Sequence, residues 1–501
     1  DSSALIKLIS QPAQWLRAGV TLDPVFQVKN ILRDAFGSAI ISKVGLLPFE
    51  AVAKGLHAMV KNPQLVAEWA AAGGEQSFEA AYFDRKELAK FIEQKLGGKP
   101  DAKKHLIFFN PLAALRHISG LSEMATRIGE YEANFKAAKK QGMSDGDARL
   151  YAAYESRDRQ DFSVGGAKTK QARQAAPFWN AGMQGNVKLG RVIKERPWRT
   201  IFQGFAYVTL PTLALLAINH DDDDYWERPQ WERDVFWLVP VGKDENGHTK
   251  FFKFPKPFLL GTIFGSVFER FAASQKGKEN PYKDLGSQIR QDIVPVPIPT
   301  ILAMFEGFIG DRGYVFWRGE ELVPKSLEGL PPEFQVTEQT SLLAKKVGKL
   351  LGMSPIKIDQ FISNATGGIG KFVTQQVIDR VISAATGEAR AEKEFGMISR
   401  FFTTPAGISA ASVTEFYEQL DALRKKKKGE KPGGYKLSGE ESNKLARMER
   451  AVDSMAEMRK QAQKAANDVE RQKLYLRIVE RAKDAMKQPE PINSTTNTLN
   501  R

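Results

Sequence analysis

Residues 200–219 read TIFQGFAYVTLPTLALLAIN, and His220, Asp221, Asp222, Asp223 and Asp224 follow. The run carries no charge, and the segment before it, Lys168 to Arg199, contains Glu195 as its single acid. The order is positive, apolar, negative. A helix from Ile201 to Ile218 would be roughly 27 Å long, close to the hydrocarbon thickness of a bilayer. Lipid contact would engage Ile201, Phe202, Phe205, Tyr207, Leu210, Leu213, Leu215, Leu216 and Ile218. Pro211 at the centre, the nearby Gln203, Gly204 and Thr209, and a mean hydropathy of −0.36 for the whole chain point the other way. They favour a helix buried in the core of a soluble fold, one that turns toward a membrane after release.

Working outward, the periodicity is helical on both sides. Asp23-Pro24 supplies a cap and a first-turn proline, and Val25, Phe26, Val28, Ile31, Leu32 and Phe36 make an apolar face. Ser144 caps the second of two charged helices, and Ser354-Pro355 opens another that Gly367, Gly368 and Gly370 are expected to close. Between Val235 and Phe254 the pattern turns extended, with Asn246-Gly247 as a type I′ turn signal. Ser412 with Glu415, and Ser438 with Glu441, are capping boxes for two long C-terminal helices. The fold class expected is mainly α: a multi-helix assembly with one small β-hairpin and a C-terminal helical hairpin. Its regions are 1–164, 165–400, 401–488 and a polar, disordered tail at 489–501. The chain opens on Asp1, which reads as a processed product or a piece of something longer.

Chemistry is sparse. With no cysteine among 501 residues there is no disulfide, thiolate nucleophile or cysteine-ligated zinc. His57, His105, His117, His220 and His248 are never three or four apart, so no helical metal pair is signalled. Gly370-Lys371-Phe372 lacks the upstream glycine of a phosphate loop. Asp221 to Asp224 with His220 could hold a divalent cation, but adjacent aspartates lack calcium-loop spacing, and an acidic surface loop paired with Arg228 or Arg233 is the preferred reading. No cofactor is expected. The net charge of +14 favours anionic partners, double-stranded DNA among them, through non-specific phosphate contacts. Candidate DNA contacts are Lys168, Lys170, Arg173, Lys188, Arg191, Lys425, Lys426, Lys427 and Lys428. Leu445, Met448, Val452 and Met455 form one helical stripe suited to an oligomer interface.

Glu155-Ser156 followed by Gly182-Met183-Gln184 faintly resembles the lytic transglycosylases, which would make Glu155 a general acid. Its flanks, Arg157, Asp158 and Arg159, are too charged for the apolar pocket such an acid needs.

A broader likeness covers most of the chain. The stretch from Leu22-Asp23-Pro24 to Asp34, then Pro177-Phe178-Trp179-Asn180-Ala181 with Gln184-Gly185, resembles the C-terminal modules of phage large polyvalent proteins. Ser354-Pro355, Ile358-Asp359, Thr366-Gly367-Gly368, Phe401-Phe402 and Phe416-Tyr417 continue it in order. The resemblance implies a helical, non-catalytic module, with any enzyme activity elsewhere in a longer polypeptide. Similar large chains of short-tailed phages are stored in the capsid and ejected to form a conduit for DNA. The expectation is therefore a virion-internal ejection protein that moves from the virion interior to the host envelope. Its partners would be copies of itself, other phage internal, tail or portal proteins, DNA and the bacterial inner membrane. A transglycosylase-like enzyme and an injected antirestriction or host-takeover factor are the alternatives.

Overall fold

The computed structural model describes residues 11–16, 19–20, 23–74, 111–158, 176, 179–244, 247–275, 282, 285–293, 298–316, 319–328, 330–337, 339–386, 398–403, 410–428, 437–465 and 468–487. It is mainly helical, with two small antiparallel sheets.

Asp23 accepts a hydrogen bond from Val25 N at 3.0 Å and Pro24 takes the first turn, so α1 (Pro24–Ile41) starts where the sequence expects. Next come α2 (Glu50–Lys61) and α3 (Pro63–Ala71), the latter capped by the Asn62 side chain. The long helices α4 (Pro111–Lys140) and α5 (Asp145–Asp158) are joined through Gly142, with Ser144 Oγ accepting from Asp147 N. Helix α2 approaches α4 so closely that a Cβ at Gly55 or Gly129 would strike the backbone of Ala125 or Ala51. Trp69, Ile128, Tyr131 and Ala152 fill the adjoining core.

The central region runs α6 (Trp179–Glu195), α7 (Pro197–Asn219), α8 (Asp223–Trp226) and α9 (Gln230–Val235). The hairpin β1 (Phe236–Lys243) and β2 (Thr249–Pro255) follows, pairing Trp237 with Phe254 and Val239 with Phe252. At its end Asp244 N bonds His248 O at 2.8 Å and Gly247 has φ 84°, a left-handed conformation that favours glycine; Asn246 of the expected turn lies outside the described residues. Helix α10 (258–275) packs against α7; α11 (Leu285–Ile293) and α12 (Thr300–Met304) follow. A second sheet, β3 (Tyr314–Val315) with β4 (Glu320–Glu321), has no signal in the sequence.

Ser341 caps α13 (Leu342–Leu351) by accepting from Ala344 N. Helix α14 (Pro355–Val373) is interrupted, not closed, at Gly367, which has φ 64°. There the N-terminal segment crosses so tightly that a Cβ on Gly368 would collide with the Asp23 carboxylate. A π turn, Thr374–Ile378, leads into α15 (Asp379–Thr386).

The C-terminal region contains three helices, not two, because the chain leaves the helical path at Ala465. They are α16 (Ala411–Lys427), α17 (Gly439–Lys464) and α18 (Asp468–Met486). The Ser438–Glu441 capping box is formed. Ser412 does not cap α16; its N and Oγ both donate to Glu227 of the central region, at 3.1 and 2.7 Å. Leu445, Met448 and Met455, expected at an oligomer interface, are buried in the core of this bundle with Phe416, Leu420 and Ile478, and Val452 packs against them. The stripe is closed within the chain because α16 and α18 cover it. The expected tail lies outside the described residues.

Candidate functional site: an inverted helix pair over buried charge

The sequence favours a core position for α7, and the structure corrects this. Its exposed positions are Pro197, Trp198, Ile201, Phe202, Phe205, Leu210, Ala214, Ala217 and Ile218, every one apolar. Trp198 is 82% exposed, Phe202 70% and Ile218 65%. Facing inward are Thr200, Gln203, Gly204, Val208, Thr209, Thr212, Leu216 and Asn219, most of them polar or glycine. A water-facing helix places its apolar stripe toward the core. This one does the reverse. Among the described residues it is the one helix long and apolar enough to cross a membrane. Of the residues named for lipid contact, Leu216 is buried and Tyr207, Leu213 and Leu215 are half-buried; the rest are exposed.

A local irregularity keeps the stripe straight. Residues Phe205–Thr209 form a π turn, with Leu210 N bonding Phe205 O. Pro211, next in line, has no N–H to offer the carbonyl one turn back, so a wider turn is accommodated there. In an unbroken α-helix, residue 209 would follow Phe205 to the outside. The extra residue puts Leu210 there, and Thr209 turns inward to donate from Oγ1 to Phe264 O at 2.6 Å. Trp237 Nε1 donates to Thr212 Oγ1 at 2.7 Å, and Asn219 Nδ2 donates to Leu238 O at 2.8 Å.

Helix α10 repeats the inversion. Phe258, Phe268 and Phe271 are exposed, whereas Thr262, Ser266, Glu269 and Arg270 are buried. It too contains a π turn, Thr262–Ser266, directly against that of α7. Small residues allow the contact: a Cβ on Gly204 would press into the Phe264 ring at 2.7 Å, and one on Gly265 would crowd Thr212 and Val208.

Beneath the pair lies a network of paired charges. Lys256 Nζ donates to Glu269 Oε2 at 2.8 Å and to Arg233 O at 2.7 Å. Tyr225 OH donates to Glu269 Oε1 at 2.5 Å; burial and that carboxylate push its phenol well above the usual value. Arg270 holds Asp234 through two nitrogens, and Arg228 with Lys253 flanks Glu232. Charged groups are inside and phenylalanines outside, opposite to the usual partition in water. At the edge of the network Lys29 Nζ lies 5.0 Å from the Phe236 ring centre and 5.4 Å from that of Phe401. Burial, then Lys253, Arg400 and Arg33, lower its pKa to about 7.

The other residues singled out by sequence are mostly engaged elsewhere. Lys188 is buried and pairs with Asp158 at 2.5 Å; Arg191 pairs with the same carboxylate at 2.9 Å, so neither is free for DNA as expected. Lys426 binds Glu441 at 2.6 Å, leaving Lys425, Lys427 and Lys428 exposed at the end of α16. Lys168, Lys170 and Arg173 lie outside the described residues. Glu155 is buried against Lys43 at 2.8 Å and Lys188 at 3.9 Å, beside a cavity with room for about one water, too little for a glycan. Within the aspartate run, Asp222 caps α8 and Asp224 accepts from His248 Nδ1 and Thr249 N, both at 2.7 Å, while Asp221 and Asp223 are exposed. Arg228 pairs with Glu232, and Arg233 donates to Gln230 Oε1. Among the described residues no group of three or more acids and histidines is placed to hold a metal.

These features define a helical scaffold presenting an apolar helix pair. Residues 222–398, about a third of the chain, match the family described as large polyvalent protein associated domain 38. The chain thus carries a large polyvalent protein module, which fits a phage-associated protein. The match starts at the cap of α8 and takes in the hairpin, α10 and the charge network, with α7 immediately ahead of it. No curated protein and no solved structure matches the chain.

Proposed function

We propose that this chain is a non-enzymatic module of a phage large polyvalent protein, carried in the virion and delivered to the host envelope, where it assists passage of DNA. The observation that carries this reading is the composition of the α7 surface, where nine exposed positions are all apolar. Exposing such a face to water has a cost that a partner or a membrane removes. The basic segment before α7 and the acidic run after it give the helix the charge asymmetry of membrane-associated segments. Exposed Lys425, Lys427 and Lys428 supply a site for non-specific phosphate contact. Engagement of Glu155 by two ammonium groups favours a structural role for it over glycosidic catalysis.

Flotation with vesicles of phosphatidylethanolamine and phosphatidylglycerol tests the proposal. The full chain should rise with the vesicles, and Phe202→Asp with Phe205→Asp should abolish this without changing far-ultraviolet circular dichroism. A chain that stays at the bottom in every case refutes the reading.

A further inference from the structure

We infer that α10 is a second membrane-contacting element, forming with α7 one apolar face that lies in the plane of a bilayer containing acidic phospholipid. The inference rests on the membrane reading of α7 given above. Three observations carry it. First, the two exposed faces are continuous, because the Phe205 and Phe268 rings meet edge to face at 6.5 Å. Phe271, 57% exposed, lies one turn further along the same face of α10, and Phe258, 65% exposed, marks its other end. Second, the face carries no charge. Glu269 and Arg270 of α10 point inward, each neutralised by Lys256 or Asp234.

Third, the polar side of the pair is fastened to the protein body. For α7 to cross a bilayer, Asn219 would have to abandon Leu238 O, the Trp237 indole N–H would lose Thr212 Oγ1, and Thr209 would have to leave Phe264 O or drag α10 with it. In-plane contact preserves all three. It buries the apolar stripe to the depth of the acyl boundary, as interfacial helices do. The edges of the face suit headgroups. Trp198 stands out at one end of α7 with the exposed Lys194 just ahead of it, and the half-buried Arg33 guanidinium stacks 4.6 Å from the Phe258 ring centre. A cation and aromatic rings around an apolar face favour an acidic bilayer over an apolar protein groove as its occupant.

Because the chain has no cysteine, single thiols report position cleanly. Full-length Phe202→Cys, Phe258→Cys, Phe271→Cys and Lys460→Cys would each be labelled with an environment-sensitive dye, and folding checked by circular dichroism. On vesicles containing phosphatidylglycerol, dyes at 202, 258 and 271 should brighten and shift to the blue. Quenchers placed near the headgroups should quench them, and the dye at 460 should stay silent. Neutral phosphatidylcholine vesicles should bind about fivefold more weakly for each basic group engaged. A response at 202 with silence at 258 and 271 overturns this inference and leaves the membrane reading of α7 standing. Quenching at 202 only from the bilayer centre also overturns it, in favour of spanning. Equal binding to neutral vesicles removes the acidic lipid, and silence at every position removes both proposals.

Discussion

Lys29 is held where an ammonium group is poorly accommodated. It donates to Arg400 O at a long 3.4 Å, while Arg33, Lys253 and Arg400 surround it with like charge and Phe236 and Phe401 cover it. Asp23, whose carboxylate partly offsets this, is engaged by two Arg400 nitrogens. The folded-state pKa of about 7 lies below the ordinary lysine value of 10.5. Below pH 7 the group is charged in folded and unfolded chains alike, and the full penalty applies. Between pH 7 and 10.5 the folded protein releases the proton first, so stability rises with pH across that window. Lys29→Met should stabilise the fold below pH 7 by roughly 1–3 kcal/mol and flatten this rise, measured by urea unfolding at several pH values. An unchanged pH profile would mean that Lys29 is solvated.

At the scale of the elements, the two facing π turns set which side of α7 looks outward. Gly265→Leu should force α7 and α10 apart, because the new side chain would enter space held by Thr212 and Val208. The expected loss is roughly 1–3 kcal/mol, read from thermal unfolding. The exposed lysines of α16 belong to this scale as well. Lys425→Ala with Lys427→Ala and Lys428→Ala should make the dependence of log affinity for DNA on log salt shallower by about 3, one for each phosphate no longer neutralised. No change in slope would exclude this helix end as a DNA-binding site. Much of the element plan was legible: Asp23-Pro24, Ser144 and the Ser438–Glu441 box each mark a helix start by local chemistry. The orientation of α7 was not, because an apolar run fixes that a helix forms and leaves open which neighbours it meets. Gln203, Thr209, Thr212 and Asn219 share one face only after the π turn shifts the register, and composition carries no trace of that shift. The oligomer stripe failed for a related reason. Met448 and Met455 make the same pattern whether α18 or another copy covers them.

For the whole molecule, a few polar links join distant stretches of chain. Glu227 accepts from both Ser412 groups and from Lys483 at 2.9 Å, fastening the C-terminal bundle to the central region. Glu227→Ala should speed amide hydrogen exchange at the start of α16 while leaving α4 and α5 unchanged. Uniform acceleration would show that the two regions unfold as one. The second fastening, Asp23 with Arg400, joins residues 377 positions apart, and it sets an order for biogenesis. At translation speeds of about 5–20 residues per second, Arg400 is made about 20–75 s after Asp23. Within that interval α7 and α10 are made as well, while the Asp23 carboxylate still lacks the guanidinium it pairs with. The C-terminal bundle is made later still, so the links from Glu227 to Ser412 and Lys483 close only after the ion pair between Asp23 and Arg400 can form.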